Sequence, residues 1–189
     1  MALTVEKRDL FTAGHQQRVS VLAEALGKEL GLEEYAIEGL SMAANVHDIG
    51  KMQVPAEILN RYGPLEKQEY DLIRLHPQTG YEILSHIDFP WPIAKIVLQH
   101  HERLDGSGYP LGLKDGEILW EARILAVADV VEAMSSHRPY RPAFSLEYTL
   151  AEIEKQRGAL FDPLVVDACL KLFRTNVFQF PPHPSFETS

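Results

Sequence analysis

Along most of this chain apolar residues return every three or four positions. Val19, Leu22, Leu26 and Leu30 share one helical face, and Gly31 closes that run. A second run over 34–48 carries Ile37, Leu40 and Ala44 on one face. The same period marks 66–76, 78–87, 91–101, 121–136, 146–156 and 163–174, while Gly and Pro gather in loops at 50–55, 102–118 and 138–144. No segment alternates convincingly with period two. The pattern predicts an all-α fold, a compact bundle of about seven or eight helices, ending in an irregular stretch at FPPHPSFETS. The expected division is a lead-in over 1–10, one domain over 11–175 and a tail over 176–189.

The departures from this pattern carry the chemistry. His15 precedes Val19 by four residues and extends its stripe. Ile37, Leu40 and Ala44 lead on to His47, with Asp48 beside it; Ile93, Ile96 and Val97 lead to His100 and His101. His76 follows Leu72 by four and Ile73 by three, although Pro77 is expected to break the helix there. Asp129 falls within RILAVADVVEAM, four residues after Leu125. Residues three or four apart share a helix face, so these side chains should point inward. One inward histidine is more often a hydrogen-bonded core residue than a ligand. Five of them with two carboxylates are different, because each buried polar group without a partner costs roughly 1–3 kcal/mol. A cluster of divalent ions would satisfy all of them together, and His and Asp donors suit Fe, Mn, Zn or Ni. His86, His137 and His183 lack such support and read as surface or structural residues.

Composition narrows the classes. The 189 residues are 46% hydrophobic, enough for a sizeable core, and the one cysteine, Cys169, excludes an internal disulfide framework and fits a reducing cytoplasm. No run of about 18 apolar residues could span a membrane, and MALTVEKRDLF has no apolar signal-peptide core. A net charge of −9 argues against binding a nucleic-acid polymer through a broad basic face, and leaves room for a small anion in a local pocket.

HDIGK at 47–51, HHE at 100–102 and DGSGYP at 105–110, in order with HPQTGYEIL at 76–84 and ADVVEAMSSHRPYR at 128–141, resemble the HD-GYP domain over most of the chain. This is a bacterial branch of the HD phosphohydrolases that degrades cyclic di-GMP. The resemblance implies a helical domain with a centre of two or three metal ions, often iron or manganese, with nickel, zinc or magnesium as substitutes on purification. By motif position the ligands would be His15, His47, Asp48, His76, His100, His101 and Asp129, the set the helical stripes also mark. Asp48 would bridge, with His47 and Asp129 on one side and His76, His100 and His101 on the other. Phe11 stands where some members carry a third-metal glutamate, so two ions are expected.

The resemblance also implies roles around the metals. Lys51 would meet a phosphate or protonate the leaving oxygen, and Arg138 and Arg141 would clamp phosphate. Gly106 and Gly108 would let a ligand approach the chain, and Tyr109, before Pro110, would offer a ring to guanine and a hydroxyl to phosphate. Glu132 stands where the family often has Asp and is expected at the substrate with a longer reach. The implied reaction is hydrolysis of cyclic di-GMP to linear pGpG, then to GMP. A GGDEF-domain synthase docking on the GYP loop and a fused receiver or sensory domain are the implied partners. A mixed GMP–AMP ring as substrate, or a signalling module that binds without turnover, are the alternatives.

Overall fold

The computed structural model describes residues 14–61, 63–136 and 142–181, so Phe11, His137, Arg138, Arg141 and His183 lie outside the described residues. Within them the helices are α1 (His15–Glu29), α2 (Glu34–Val46), a 3-10 helix (Ile49–Gln53), α3 (Ala56–Leu59), α4 (Lys67–Ile73), α5 (His76–Leu84), α6 (Ile93–Gln99), α7 (Trp120–Ser135), α8 (Leu146–Lys155) and α9 (Pro163–Arg174). Among the described residues there is no named strand; only isolated bridges occur, Asp105 with Lys114 and Arg157 with Phe161. The eight periodic segments are all helical. The 3-10 helix overlaps the loop expected at 50–55, and the single turn α3 lies where no element was predicted.

Local chemistry sets several of these boundaries. The Ser145 hydroxyl accepts from the Tyr148 N–H at 3.2 Å to start α8. The Asp162 carboxylate does the same for Leu164 at 2.9 Å ahead of Pro163, whose fixed φ suits a first helical residue. Pro77 also sits in a first turn, so it opens α5 instead of ending the preceding helix, and α4 closes at Ile73. Glu66 and Glu69 form a reciprocal capping box at the start of α4.

The bundle closes around α7. Ala122, Ile124, Leu125, Val127, Ala128 and Val131 are all wholly buried, so the helix is apolar on nearly every side. It packs against α1, α6, α8 and α9, while α5 and the 3-10 helix press on each other beside α6. The described part of the C-terminal stretch has no regular element, yet it is packed. Phe178 is buried, with Phe173 at 5.2 Å and Phe180 at 5.3 Å between ring centres, so the core extends beyond residue 175.

Gly50 shows how tightly the HDIGK turn is seated. A Cβ there would stand 2.0 Å from the His76 carbonyl oxygen and 2.7 Å from the Gly80 nitrogen, both backbone atoms. Gly50→Ala should therefore push the 3-10 helix off α5 and destabilise the protein by about 1–3 kcal/mol. Denaturant unfolding of the two proteins measures this; an unchanged midpoint would show that the turn has slack.

Candidate metal centre

Five parts of the fold bring their polar residues to one buried place: the start of α1, the α2 C-terminus, the junction of α4 with α5, the α6 C-terminus and the inner face of α7. His15, His47, Asp48, His76, His100 and Asp129 are all buried there, and His101 is half-buried. Adjacent residues on a continuous helix diverge by about 100°. Here α2 stops at Val46 and α6 at Gln99, so the pairs His47–Asp48 and His100–His101 both turn inward at a helix end.

Backbone carbonyls fix the histidine tautomers. His47 Nδ1 donates to the Ala44 oxygen at 2.7 Å, His76 Nδ1 to Ile73 at 2.8 Å, and His100 Nδ1 to Val97 at 2.6 Å. Each of these carbonyls lies in the last turn of its helix, where helical partners run out. His15 Nδ1 donates to Glu132 instead. A carbonyl or carboxylate can only accept, so the proton stays on Nδ1 and Nε2 presents a lone pair inward.

Those lone pairs face one another. His76 Nε2 and His100 Nε2 are 3.3 Å apart, and His47 Nε2 is buried with no hydrogen-bond partner. Asp48 lies between two sets of donors. Its Oδ1 is 3.4 Å from His76 Nε2, and its Oδ2 is 3.7 Å from His47 Nε2 and 4.0 Å from His15 Nε2. Asp129 Oδ1 is 3.3 Å from His15 Nε2 and 3.8 Å from His47 Nε2. The donor atoms of His15, His47 and Asp129 fall within 4.8 Å of one another, and so do those of His76, His100 and His101. Bare lone pairs and carboxylates at such distances repel unless a cation stands among them, so the residues fit divalent metal.

Burial governs the titration of the rings. It lowers His76 to about 4 and His100 to about 3, and holds His101 well below the ordinary histidine range, helped by His100 and His76. Burial also opposes charge on Asp48, but the Lys51 ammonium, His47 and His76 outweigh it and keep the carboxyl well below the usual range. The Lys51 ammonium donates to Asp48 Oδ2 at 2.7 Å.

Two expectations change here. Glu132, expected at the substrate, is wholly buried; it accepts from His15, from Arg18 Nε at 2.7 Å and from the Ser136 hydroxyl at 2.6 Å. Its carboxylate braces His15 and faces the core. Gly108 was expected to admit a ligand, yet a Cβ there would stand 2.4 Å from the Glu102 Cα and 2.5 Å from the Arg103 nitrogen. The chain itself fills that space. Glu102 is the residue the sequence reading passed over: buried, it accepts the Leu111 N–H at 2.7 Å and the Leu113 N–H at 2.9 Å and so folds the loop back. The Tyr109 N–H donates to the His101 carbonyl at 3.2 Å, and its ring stacks on His101 at 4.7 Å. Pro110 follows in the same half-buried loop. His86 is exposed, as a surface residue should be.

Comparison with known proteins agrees with this geometry. The HD domain model matches residues 3–165, and the chain belongs to that family. It is 44% identical over 173 residues to the cyclic di-GMP phosphodiesterase response regulator RpfG of Xanthomonas campestris, covering 90% of this chain and 46% of that protein. It is 41% identical over 146 residues to the 3′3′-cGAMP-specific phosphodiesterase 1 of Vibrio cholerae, covering 77% of this chain and 34% of that protein. The chain thus spans less than half the length of these curated relatives. Its fold resembles that of Bd1817, a HDG"Y"P protein from Bdellovibrio bacteriovorus, with a TM-score of 0.70 at 19% identity over 86% of this chain and 52% of that one. No described helix is long and apolar enough to cross a membrane.

Two tests follow from the site's protonation and bracing. In the unfolded chain His76 and His100 take a proton near 6.5, and in the folded chain only near 4 and 3. Between those values the unfolded state binds more protons. These two rings therefore contribute their full stability to the metal-free protein above pH 6.5 and lose it progressively as pH falls toward 4. Melts of metal-free protein at pH 7, 6 and 5 should step downward; a flat Tm contradicts neutral rings. Separately, Glu132→Gln should weaken metal binding roughly 10- to 100-fold by loosening His15, as read by chelator competition. Wild-type affinity would make Glu132 a fold residue only.

Proposed function

We propose that this chain is the metal-dependent catalytic domain of a cyclic-dinucleotide phosphodiesterase acting on cyclic di-GMP. One observation carries the metal part of this reading: His76 and His100 aim bare Nε2 atoms at each other across 3.3 Å, with Asp48 reaching toward both donor sets. His15, His47 and Asp129 would hold one ion, His76, His100 and His101 the other, and Asp48 would join them. Nitrogen and oxygen donors without thiolate favour iron or manganese, with nickel, zinc or magnesium as substitutes. Two ions in such a site supply an acidified water as nucleophile and offset charge building on the phosphate.

The chain's own groups would do the rest. Asp48 and Asp129 set the separation of the two donor sets, and neutral histidines keep their lone pairs available down to mildly acidic pH. Lys51, 2.7 Å from Asp48, would hand a proton to the departing ribose oxygen. Tyr109 is half-buried, and burial pushes its hydroxyl well above the ordinary tyrosine range, so it remains a donor for phosphate. Arg138 and Arg141 are the phosphate clamps of this reading. Cleavage of one 3′–5′ linkage yields pGpG, and a second round yields GMP. The loop around Gly108–Pro110 is also the surface offered to a GGDEF-domain synthase, and the setting is cytoplasmic, alongside a receiver or sensory domain. A mixed GMP–AMP ring is the second reading, favoured by the relative of that specificity.

Protein purified without oxygen should carry about two divalent ions per chain and convert cyclic di-GMP to pGpG, followed by chromatography with the mixed ring in competition. His100→Ala should lose metal and turnover together. Lys51→Ala should keep its metal and lose roughly 10- to 150-fold in rate, the worth of one charge-assisted contact. Full metal occupancy in His100→Ala, or undiminished turnover in Lys51→Ala, would overturn the respective role.

A further inference from the structure

Among the described residues four cationic side chains lie close to the histidines, and three are already engaged. Arg18 is bound by Glu132 and Lys51 by Asp48. Arg103 donates to the Glu102 carbonyl at 2.8 Å and covers the Phe161 ring at 4.9 Å. Arg74 differs. Its guanidinium lies over the Tyr109 ring at 4.4 Å and 5.8 Å from that of Tyr70, and it has no carboxylate or carbonyl partner among the described residues. It is half-buried, whereas Tyr70 is 51% exposed. Tyr109 in turn stacks on His101 at 4.7 Å. The result is a strip of flat groups running from the metal-binding histidines out to the surface.

We infer that Arg74 is a specificity-determining residue that reads the guanine base of the substrate, an inference that rests on the cyclic-dinucleotide reading above. A planar guanidinium carries its N–H donors in its own plane, directed outward from its edge. Guanine presents two in-plane acceptors, N7 and O6, which match such a fork. Adenine presents N7 beside an amino donor, which opposes it. The Tyr109 ring sets Arg74 one ring away from the histidines that would hold the reacting phosphate. What extends that far from the phosphate is the nucleoside, and exposed Tyr70 gives its base a flat neighbour. Neither Arg74 nor Tyr70 lies in a metal-ligand position.

Titration of metal-loaded wild type, Arg74→Gln and Arg74→Lys with 5′-GMP, 5′-AMP and inorganic phosphate tests this, with cyclic di-GMP turnover measured in parallel. The wild type should prefer GMP to AMP. Arg74→Gln should lose about 10- to 100-fold for GMP, the range of one bidentate contact, and little for AMP or phosphate. Arg74→Lys should fall between, keeping charge but losing the fork. Unchanged metal content in both variants shows that the site is intact. Equal wild-type affinity for the two nucleotides, or no selective loss of GMP in Arg74→Gln, overturns the inference; a matching loss for AMP and phosphate makes Arg74 a phosphate contact instead. A wild type that prefers GMP yet fails to cleave cyclic di-GMP would sink the proposed reaction while leaving the guanine subsite standing.

Discussion

The structure turns on the last turns of short helices. Every α-helix ends with carbonyls that have no helical partner, and here three of them are answered by histidines. Ala44, Ile73 and Val97 accept Nδ1–H from His47, His76 and His100, each three residues further on. That one contact closes a helix, selects a tautomer and aims Nε2 at the interior. It also explains why the helices concerned are interrupted. A longer α2 or α6 would send one member of each adjacent pair away from the site, so the stops at Val46 and Gln99 are conditions of the cluster.

Concentrating lone pairs and carboxylates in a core is costly, and the surrounding residues divide the cost. Lys51 offsets Asp48, and Arg18 offsets Glu132, which is itself drawn down to about 2 through His15 and Ser136 against the opposition of burial. Asp129 stands among wholly buried apolar residues of α7, with His15 as its near neighbour. The histidines stay neutral because burial disfavours their charged form. A neutral imidazole is the metal-binding form, so the desolvation that makes the apo cluster expensive also readies it for a cation.

Much of this was legible in the sequence because helical spacing is a local property. The stripes through His15, His47, His100 and Asp129 follow from period alone, and the eight periodic runs are the eight longer helices. Pro77 was misread as a stop because a proline between two helical runs fits either the end of one or the start of the next; the backbone at His76 decides for the start. Glu132 looked like a ligand-facing acid because position along α7 cannot reveal Arg18 and His15 across the helix interface. Phe178 was lost in a Pro-rich tail, although its partner Phe173 is only five residues back. Arg74 carried no signal, and Glu102 stood in the HHE motif without a role, since their partners are set by how a loop folds back in three dimensions.

The loop from Glu102 to Leu113 connects these two levels of order. Its glycines invite a reading as flexible chain, but Gly108 is pinned against the backbone of Glu102 and Arg103, and Glu102 holds two loop N–H groups. A loop fixed at both of those points can place the Tyr109 ring firmly on His101. Arg74, from the far end of α4, then finds that ring as its platform. In the proposed function, reactivity and recognition would thus be separated by one aromatic ring and joined by the same loop. The histidine end would answer to charge, and the arginine end to the pattern of donors and acceptors on what the charge carries. On the proposed reading, substitutions at the outer end would retune which base is accepted without disturbing the donor atoms that would hold the metal.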